Sequence, residues 1–245
     1  MILYSQLKVN NNFFLLSNPF IDAYVESDFL GKAIFIGLLL LSVFSWCIMI
    51  HKCILTYQAR KHSNQFYNAF QTFRANPLAF NPEQHRKPNP FLDLYSILKK
   101  HTTDILNKNR RFASTSYLYP SDIDFIDTHL ATSIASQTKQ LDRNLFILST
   151  IVSLGPFLGL LGTVWGILTT FSEMQLQTTG SNQAVLGGIS LALATTVLGL
   201  LDAIPALIGY NYLKNNIGAF QTEMECFATE MLSSVEMQYR KVEAS

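Results

Sequence analysis

The stretch LFILSTIVSLGPFLGLLGTVWGILTTF, residues 145–171, decides the fold of this chain. It contains no charged residue, and it is long enough to cross a bilayer, which takes about 20 apolar residues. Its glycines recur at steps of 4, 3 and 4, at Gly155, Gly159, Gly162 and Gly166. In a helix this spacing places them on one face, where the missing side chains let a second helix approach closely. The stretch therefore predicts a membrane helix that packs tightly against a neighbour.

Two further apolar runs, residues 30–50 and 184–212, are also predicted to span the membrane. The last of them carries a matching stripe of small residues: Gly188, Ala192, Thr195 or Thr196, Gly199, Ala203 and Ala206. The composition agrees, since only 14% of the residues are charged, against about 25% in soluble domains. With no strand pattern in the sequence, we predict an all-α, polytopic membrane protein with three transmembrane helices and long helices extending into the cytoplasm.

The distribution of basic residues predicts the topology. Residues 51–144 hold 13 Lys or Arg and 7 acidic residues, which predicts a cytoplasmic helical domain between the first two spans. The N-terminal segment 1–29 and the short connection 172–183 are poor in Lys and Arg and are predicted to face outward. The C-terminal segment 213–245 is then a cytoplasmic amphipathic tail helix.

Helical periodicity extends beyond the spans. Residues 52–73 are predicted to continue the first helix, residues 91–107 to form a second, and Ser121 to cap a third that runs unbroken into the second span. Residues in the tail step by 3 or 4 and predict an apolar stripe: Ile217, Phe220, Met224, Phe227, Met231 and Val235. This stripe predicts packing on the other cytoplasmic helices, with a docking face for a soluble partner as the alternative.

Four polar residues within the spans are candidates for function. Thr163, Thr195 and Thr196 lie in small-residue faces, where their hydroxyls either line a narrow polar path or bond to carbonyls of their own helix. Asp202 is the one ionisable residue well inside a span, and carboxylates there are functional candidates because burying them costs about 2.5–3.5 kcal/mol on insertion scales. Its place near the predicted cytoplasmic end also suits a residue in a wetted vestibule.

No enzyme motif is present in the sequence. There is no P-loop, no His-Glu-x-x-His and no Gly-x-Ser-x-Gly, and the five histidines show no metal-ligand spacing. We therefore predict neither an enzyme nor a metal site nor an organic cofactor. Cys47, Cys53 and Cys226 are predicted to be free thiols.

The motif from Ser153 to Ile167, with Gly-Thr-Val-Trp-Gly at its centre, closely resembles the second-span motif of the ExbB/TolQ proton channel family. The stretch Ala194–Ala206 is similar to that family's third-span motif, and Ser45-Trp46 resembles the end of its first span. The resemblance implies that Thr163 and Thr196 line a proton channel. Residues of the helix-packing and pore motif would be Gly155, Pro156, Gly159, Gly162, Trp165, Gly166, Gly199 and Pro205.

The resemblance also implies the partners and the setting. Proteins of this family are multi-pass components of the bacterial inner membrane, with a periplasmic N-terminus and a cytoplasmic C-terminus. They form a homo-oligomeric ring, a pentamer in known members, around an ExbD/TolR-like single-span partner. The ring uses the proton gradient to drive a TonB- or TolA-like protein, with protons as the driving ion. The process is either TolQ-like envelope maintenance or ExbB-like energising of outer-membrane uptake.

One departure from the family pattern concerns the third span. The family commonly has a glutamate at the position of Leu191, whereas Asp202 stands where the family has a small residue. Eleven residues separate the two, close to three helical turns, which places them on the same face. We hypothesise that Asp202 partly replaces that glutamate, and the alternative is that a membrane aspartate, which the resemblance implies for the partner, suffices together with the threonines. For the function as a whole, the alternatives to the motor subunit are a non-conducting membrane scaffold with the same fold and a flagellar-stator-like subunit.

Overall fold

The computed structural model describes residues 24, 28–74, 76–81, 88–113, 117–176 and 182–240. These residues form helices α1 (Phe29–Gln71), α2 (Pro90–Ala113), α3 (Pro120–Asp142), α4 (Leu145–Leu176) and α5 (Asn182–Tyr239), with a short 3-10 turn at Pro77–Ala79. In these ranges there is no β-strand, and one isolated bridge pairs Leu118 with Arg240. The predicted all-α class is confirmed.

Three helical stretches are long and apolar enough to cross a membrane, one each in the regions of α1, α4 and α5. Their outer faces expose large apolar side chains, among them Val43 at 62%, Phe157 at 67% and Leu193 at 62%. Such faces suit contact with lipid chains rather than water. The prediction of three apolar membrane helices is confirmed.

The predicted continuation of the first helix beyond its span is confirmed, since α1 runs to Gln71, two residues short of the predicted end. α2 extends past both ends of the predicted 91–107. The predicted connection 172–183 is helical as far as Leu176 and again from Asn182, and residues 177–181 lie outside the described ranges. So does most of the predicted segment 1–29.

The start of α3 differs from the prediction. Ser121 is not the N-cap, because the helix already begins at Pro120. The backbone N–H of Tyr119 donates to the Asp122 carboxylate over 3.0 Å. Proline is favoured at the first helical position because the N–H that it lacks would have no acceptor within the helix. The cap therefore lies two residues before the predicted one.

The prediction that this helix runs unbroken into the second span is wrong. A turn at Arg143 and Asn144 separates α3 from α4, and Asn144 has a φ of 70°. Asparagine is one of the few residues other than glycine that adopt this left-handed conformation readily. Close to the turn, the buried Lys52 ammonium of α1 donates to the Leu141 carbonyl over 2.9 Å, and so satisfies an acceptor at the end of α3.

The chain divides into two compact units. The span unit comprises the described residues up to Met49 together with Asn144–Tyr210, and the polar unit comprises Ile50–Arg143 together with the residues from Asn211 onward. Each unit is described by itself below. The span unit contains the candidate site, and the polar unit has its own core.

The core of the polar unit is largely aromatic. Phe66, Phe70 and Phe227 are almost completely buried, and Phe91 stacks on Phe227 with ring centroids 4.4 Å apart. The predicted apolar stripe of the tail is confirmed, since all six of its residues are buried: Ile217, Phe220, Met224, Phe227, Met231 and Val235. Its role is therefore packing within the polar unit.

Tyr95 adds a polar anchor to this core. Its buried hydroxyl lies 2.8 Å from the carbonyl oxygens of both Pro77 and Phe80, to which it can donate. The Lys99 ammonium donates to the Phe80 carbonyl as well, over 2.8 Å. These bonds hold the 3-10 turn against α2.

Replacing Tyr95 by phenylalanine is expected to destabilise the protein by about 1–2 kcal/mol at neutral pH, because the turn carbonyls lose a buried donor. Burial raises the pKa of Tyr95 to about 12 from its ordinary value of 10.0. The folded protein thus keeps this proton in a range where the unfolded chain loses it, and the benefit of Tyr95 is full below pH 10 and fades as the pH rises to about 12. Melting curves of both proteins in detergent should converge over this range. If the difference in melting temperature between the two proteins stays constant over this pH range, the buried hydrogen-bonding role of the Tyr95 hydroxyl is contradicted.

Candidate functional site

The small-residue faces of α4 and α5 meet in the span unit. A Cβ built on Gly159 would lie 3.0 Å from both the Thr195 carbonyl oxygen and the Thr196 Cα, and one built on Gly155 would lie 3.0 Å from the Gly199 carbonyl oxygen. Real Cβ atoms rarely approach backbone this closely, so side chains would force the helices apart. The remaining close approaches join Gly162 to Thr195, Gly166 to Ala192 and Gly188, and Gly188 to Thr170.

Two threonines hold this contact by hydrogen bonds. The Thr196 hydroxyl donates across the helix pair to the Gly159 carbonyl over 3.1 Å. The Thr195 hydroxyl, which is buried, lies 2.8 Å from the Ala192 carbonyl of its own helix and 3.4 Å from the Gly159 carbonyl. The Gly159 carbonyl is thus an acceptor for side chains of α5, which fixes the register of α4 against α5.

Thr163 behaves differently. Its half-buried hydroxyl donates to the Leu160 carbonyl over 2.7 Å, three residues earlier in α4. This is the local bond that most threonines in membrane helices make. Of the predicted channel threonines, the structure therefore brings Thr196 into the α4–α5 contact and leaves Thr163 bonded within its own helix.

Both predicted prolines lie inside helices. Pro156 lies within α4 and Pro205 within α5, and both helices continue through them. Because proline has no N–H, the carbonyls of Val152 and Leu201 have no donor at the usual position four residues later.

Asp202 is 4% exposed, which makes it the most deeply buried carboxyl group among the described residues of the spans. Neither of its oxygens has a hydrogen-bond partner within the described parts of the chain. The Ser42 hydroxyl of α1 is the side chain that interacts with it. Asp202 therefore lies toward the first span, and its neighbour Ala203 contacts the position of Gly155 in α4. The side chain of Leu191 lies outside what the structure describes.

The predicted motif residue Trp165 has a partner that the sequence did not indicate. Its indole N–H donates to Asp28 over 2.8 Å, and the other oxygen of the same carboxylate accepts the backbone N–H of Gly31 over 2.8 Å. Asp28 is thus the N-cap of α1 and also a link from α1 to α4. An Asp directly before the apolar run was a recognisable N-cap signal, but its second bond depends on the tertiary fold.

No group of three or more His, Cys, Asp or Glu that could hold a metal ion is found among the described residues. The three cysteines are exposed and free. The chemistry that the span unit offers is therefore that of hydroxyls, backbone carbonyls and one buried carboxyl group.

A tight pair of long apolar helices with a buried carboxyl group beside it defines a polytopic membrane protein with an ionisable group inside its spans. The sequence model of the MotA/TolQ/ExbB proton channel family matches residues 99–226, a range that covers more than half of the chain and extends from α2 into the tail. This protein belongs to that family.

Two of the following three relatives cover more of the chain than the family model does, and the third covers less. Biopolymer transport protein ExbB of Neisseria meningitidis serogroup A is 27% identical over 198 residues, which is 81% of this chain and 88% of the relative. Tol-Pal system protein TolQ of Haemophilus influenzae is 25% identical over 230 residues, 89% of this chain and 94% of the relative. ExbB of Aquifex aeolicus is 38% identical over 104 residues, 42% of this chain and 70% of the relative.

Proposed function

We propose that this protein is an inner-membrane subunit of a motor driven by the proton-motive force, which energises a process at the outer membrane. It works as a homo-oligomeric ring, a pentamer, around an ExbD/TolR-like single-span partner and drives a TonB- or TolA-like protein. The polar unit faces the cytoplasm and the N-terminus faces the periplasm, in keeping with the excess of Lys and Arg in residues 51–144. The protein is not an enzyme, and protons are its driving ion.

The observation that carries this proposal is the buried carboxyl group of Asp202, for which the described residues offer no cationic or backbone partner and only the Ser42 hydroxyl as a polar neighbour. Burying an ionised carboxylate without a partner is costly, and such groups in membrane segments typically mark ion or proton pathways. The Ser42 hydroxyl supplies a polar neighbour without supplying a fixed countercharge. This environment suits a group that binds a proton and releases it again.

The proton gradient supplies the energy for such a cycle. A transmembrane potential provides about 2.3 kcal/mol per elementary charge for each 100 mV. A proton that binds Asp202 on one side of the membrane and leaves on the other would deliver that energy to the helices around it. The hydroxyls of Thr195 and Thr196 are hydrogen-bonded to the Gly159 carbonyl. A movement of α5 that follows proton binding can therefore be transmitted to α4 through these bonds.

The threonine assignment is tested by the combined change of Thr163 and Thr196 to alanine. We expect proton flux through liposomes that contain the protein and its ExbD/TolR-like partner to fall at least tenfold, since two hydroxyls of the path are lost while both helices remain. Thr150→Ala is the matched control, because Thr150 is also in α4 and bonds only to the Phe146 carbonyl of its own helix. Undiminished flux in the double variant would refute a role for these threonines.

The non-conducting scaffold is a second candidate, and one observation favours it. Residue 191 is a leucine, so the span lacks the carboxylate that the family resemblance places there. The same liposomes separate the two functions. A motor subunit gives partner-dependent proton flux with the unaltered protein, whereas a scaffold gives no more flux than vesicles without protein.

Relatives named ExbB and relatives named TolQ both align along most of the chain. Their names assign them to biopolymer transport and to the Tol-Pal system. We propose the motor role common to both. Deletion of the gene would separate the two processes, since loss of outer-membrane uptake indicates the ExbB-like role and loss of envelope integrity the TolQ-like role.

A further inference from the structure

A groove in the polar unit lies between α1 and α5. Its volume is about 690 Å³, and its walls are α1 from Cys53 to His62 and α5 from Tyr212 to Asn216. We call it the boundary groove. The first span is predicted to end at Ile50 and the third at residue 212, so the groove begins where the apolar runs stop.

The polarity of α1 changes along the face that carries the groove residues Ile54, Tyr57 and Lys61. Ile50, Ile54, Tyr57 and Lys61 follow one another at steps of 4, 3 and 4 and therefore lie on one face of the helix. Ile50 and Ile54 are each 52% exposed and Tyr57 is 68% exposed, and Lys61 is exposed as well. The face thus passes from aliphatic to aromatic to cationic as it leaves the span, which is the order of the acyl chain, the interface and the headgroup of a bilayer.

The opposite wall has the same character. Tyr212 is 60% exposed and faces the groove from α5. Tyrosines are enriched at membrane interfaces because the ring is apolar and the hydroxyl is polar. Tyr57 on one wall and Tyr212 on the other are both exposed, and this arrangement suits the glycerol level of a phospholipid.

The charge of the groove is positive. Arg60, Lys61 and His62 line it, and none of the described lining residues is acidic. Arg60 is held by an ion pair with Glu223, and the His62 ring lies 3.2 Å from the Pro88 carbonyl. Lys61 is therefore the cation best placed to bind an added anion.

The distance from the span fits a headgroup. Lys61 follows Ile50 by eleven residues, about 16 Å along a helix. Its side chain points back toward the N-terminal end of the helix, as helical side chains do, and lysine chains near span ends extend toward the interface. The ammonium group thus reaches the headgroup layer from outside it.

We propose that the boundary groove binds one anionic phospholipid, with Lys61 contacting the phosphate and Tyr57 and Tyr212 flanking the glycerol. A free phosphate would use the cation but not the exposed Ile54 and Tyr57 of the groove, whereas a lipid uses all of them. The proposal depends on where the spans end and not on proton movement. Its test is therefore independent of the test of the motor function.

Native mass spectrometry of the full-length protein released from detergent tests this site. Phosphatidylglycerol, phosphatidylcholine and inorganic phosphate are titrated in separate arms. We expect phosphatidylglycerol to bind at least fivefold more tightly than phosphatidylcholine, and inorganic phosphate to show no saturable binding. Lys61→Gln should weaken phosphatidylglycerol binding about fivefold, as expected for one basic residue near an anionic surface.

Two variants make the result specific. Lys61→Arg keeps the charge and should bind within twofold of the unaltered protein, and Lys108→Gln removes an exposed charge from α2, outside the groove, and should leave binding unchanged. Because Lys61 is exposed, its replacement should not shift the melting temperature. The proposal is overturned if both lipids bind equally or if Lys61→Gln leaves binding unchanged. It is also overturned if Lys108→Gln causes an equal loss, or if phosphate binds saturably and as tightly as the lipid.

Discussion

Replacing Gly199 by alanine is expected to destabilise the protein by about 2–3 kcal/mol, although it adds only one methyl group. A Cβ at this position would lie 2.5 Å from the Gly155 carbonyl oxygen and 3.3 Å from the Gly159 Cα. These are backbone atoms, which cannot rotate away, so α4 and α5 would have to separate. Separation would also lengthen the bond from Thr196 to the Gly159 carbonyl. Overpacking of this kind usually costs 1–3 kcal/mol.

Gly37→Ala is the matched control for that measurement. Gly37 is also in a membrane helix of the span unit, and a Cβ built on it has no neighbour within 4 Å. Because alanine favours helix by up to about 1 kcal/mol over glycine, this variant should melt at the same temperature or slightly higher. Thermal unfolding in one detergent compares the two directly. If the Gly199 variant melts no lower than the Gly37 variant, the close contact described above is incorrect.

Asp202→Asn is expected to abolish partner-dependent proton flux, with a loss of at least tenfold, while leaving the protein folded. Asparagine has nearly the same shape but cannot take up and release a proton at this position. It also removes the cost of an ionised carboxylate in a buried setting, so the melting temperature should stay the same or rise. A functional loss without a loss of stability is the signature of a proton-binding group.

The control and the rescue for Asp202 use other carboxyl groups. Asp104→Asn changes an exposed residue of α2 and should leave flux unchanged. Asp202→Glu retains a titratable group and should recover part of the flux. Full activity of Asp202→Asn would show that Asp202 does not replace the family glutamate, and the partner's own carboxylate together with the threonines would then have to suffice.

The membrane architecture followed directly from the sequence. The three apolar runs predicted three apolar helices, and the tail residues at steps of 3 and 4 predicted the buried stripe, because burial along a helix repeats with its period. The glycines at steps of 4, 3 and 4 likewise predicted the close approach of α4 to another helix. Each of these patterns is local and depends only on helix geometry.

Other features depend on the tertiary fold and were missed. The turn at Arg143 and Asn144 contains neither glycine nor proline, so nothing in the local sequence distinguishes it from a continuing helix. The sequence also placed Thr163 and Thr196 in one group, whereas their hydroxyls bond to different carbonyls. The neighbours of Asp202 come from α1, about 160 residues away in the chain, and periodicity cannot reveal such a contact.

The bond between Trp165 and Asp28 gives the span unit an intrinsic optical probe. The protein has two tryptophans, Trp46 and Trp165, and Trp165 donates its indole N–H to a carboxylate. Indole emission responds to charge and to hydrogen bonding at this nitrogen. Because the same carboxylate caps the first turn of α1, any event that separates the start of α1 from α4 changes the fluorescence of the unlabelled protein.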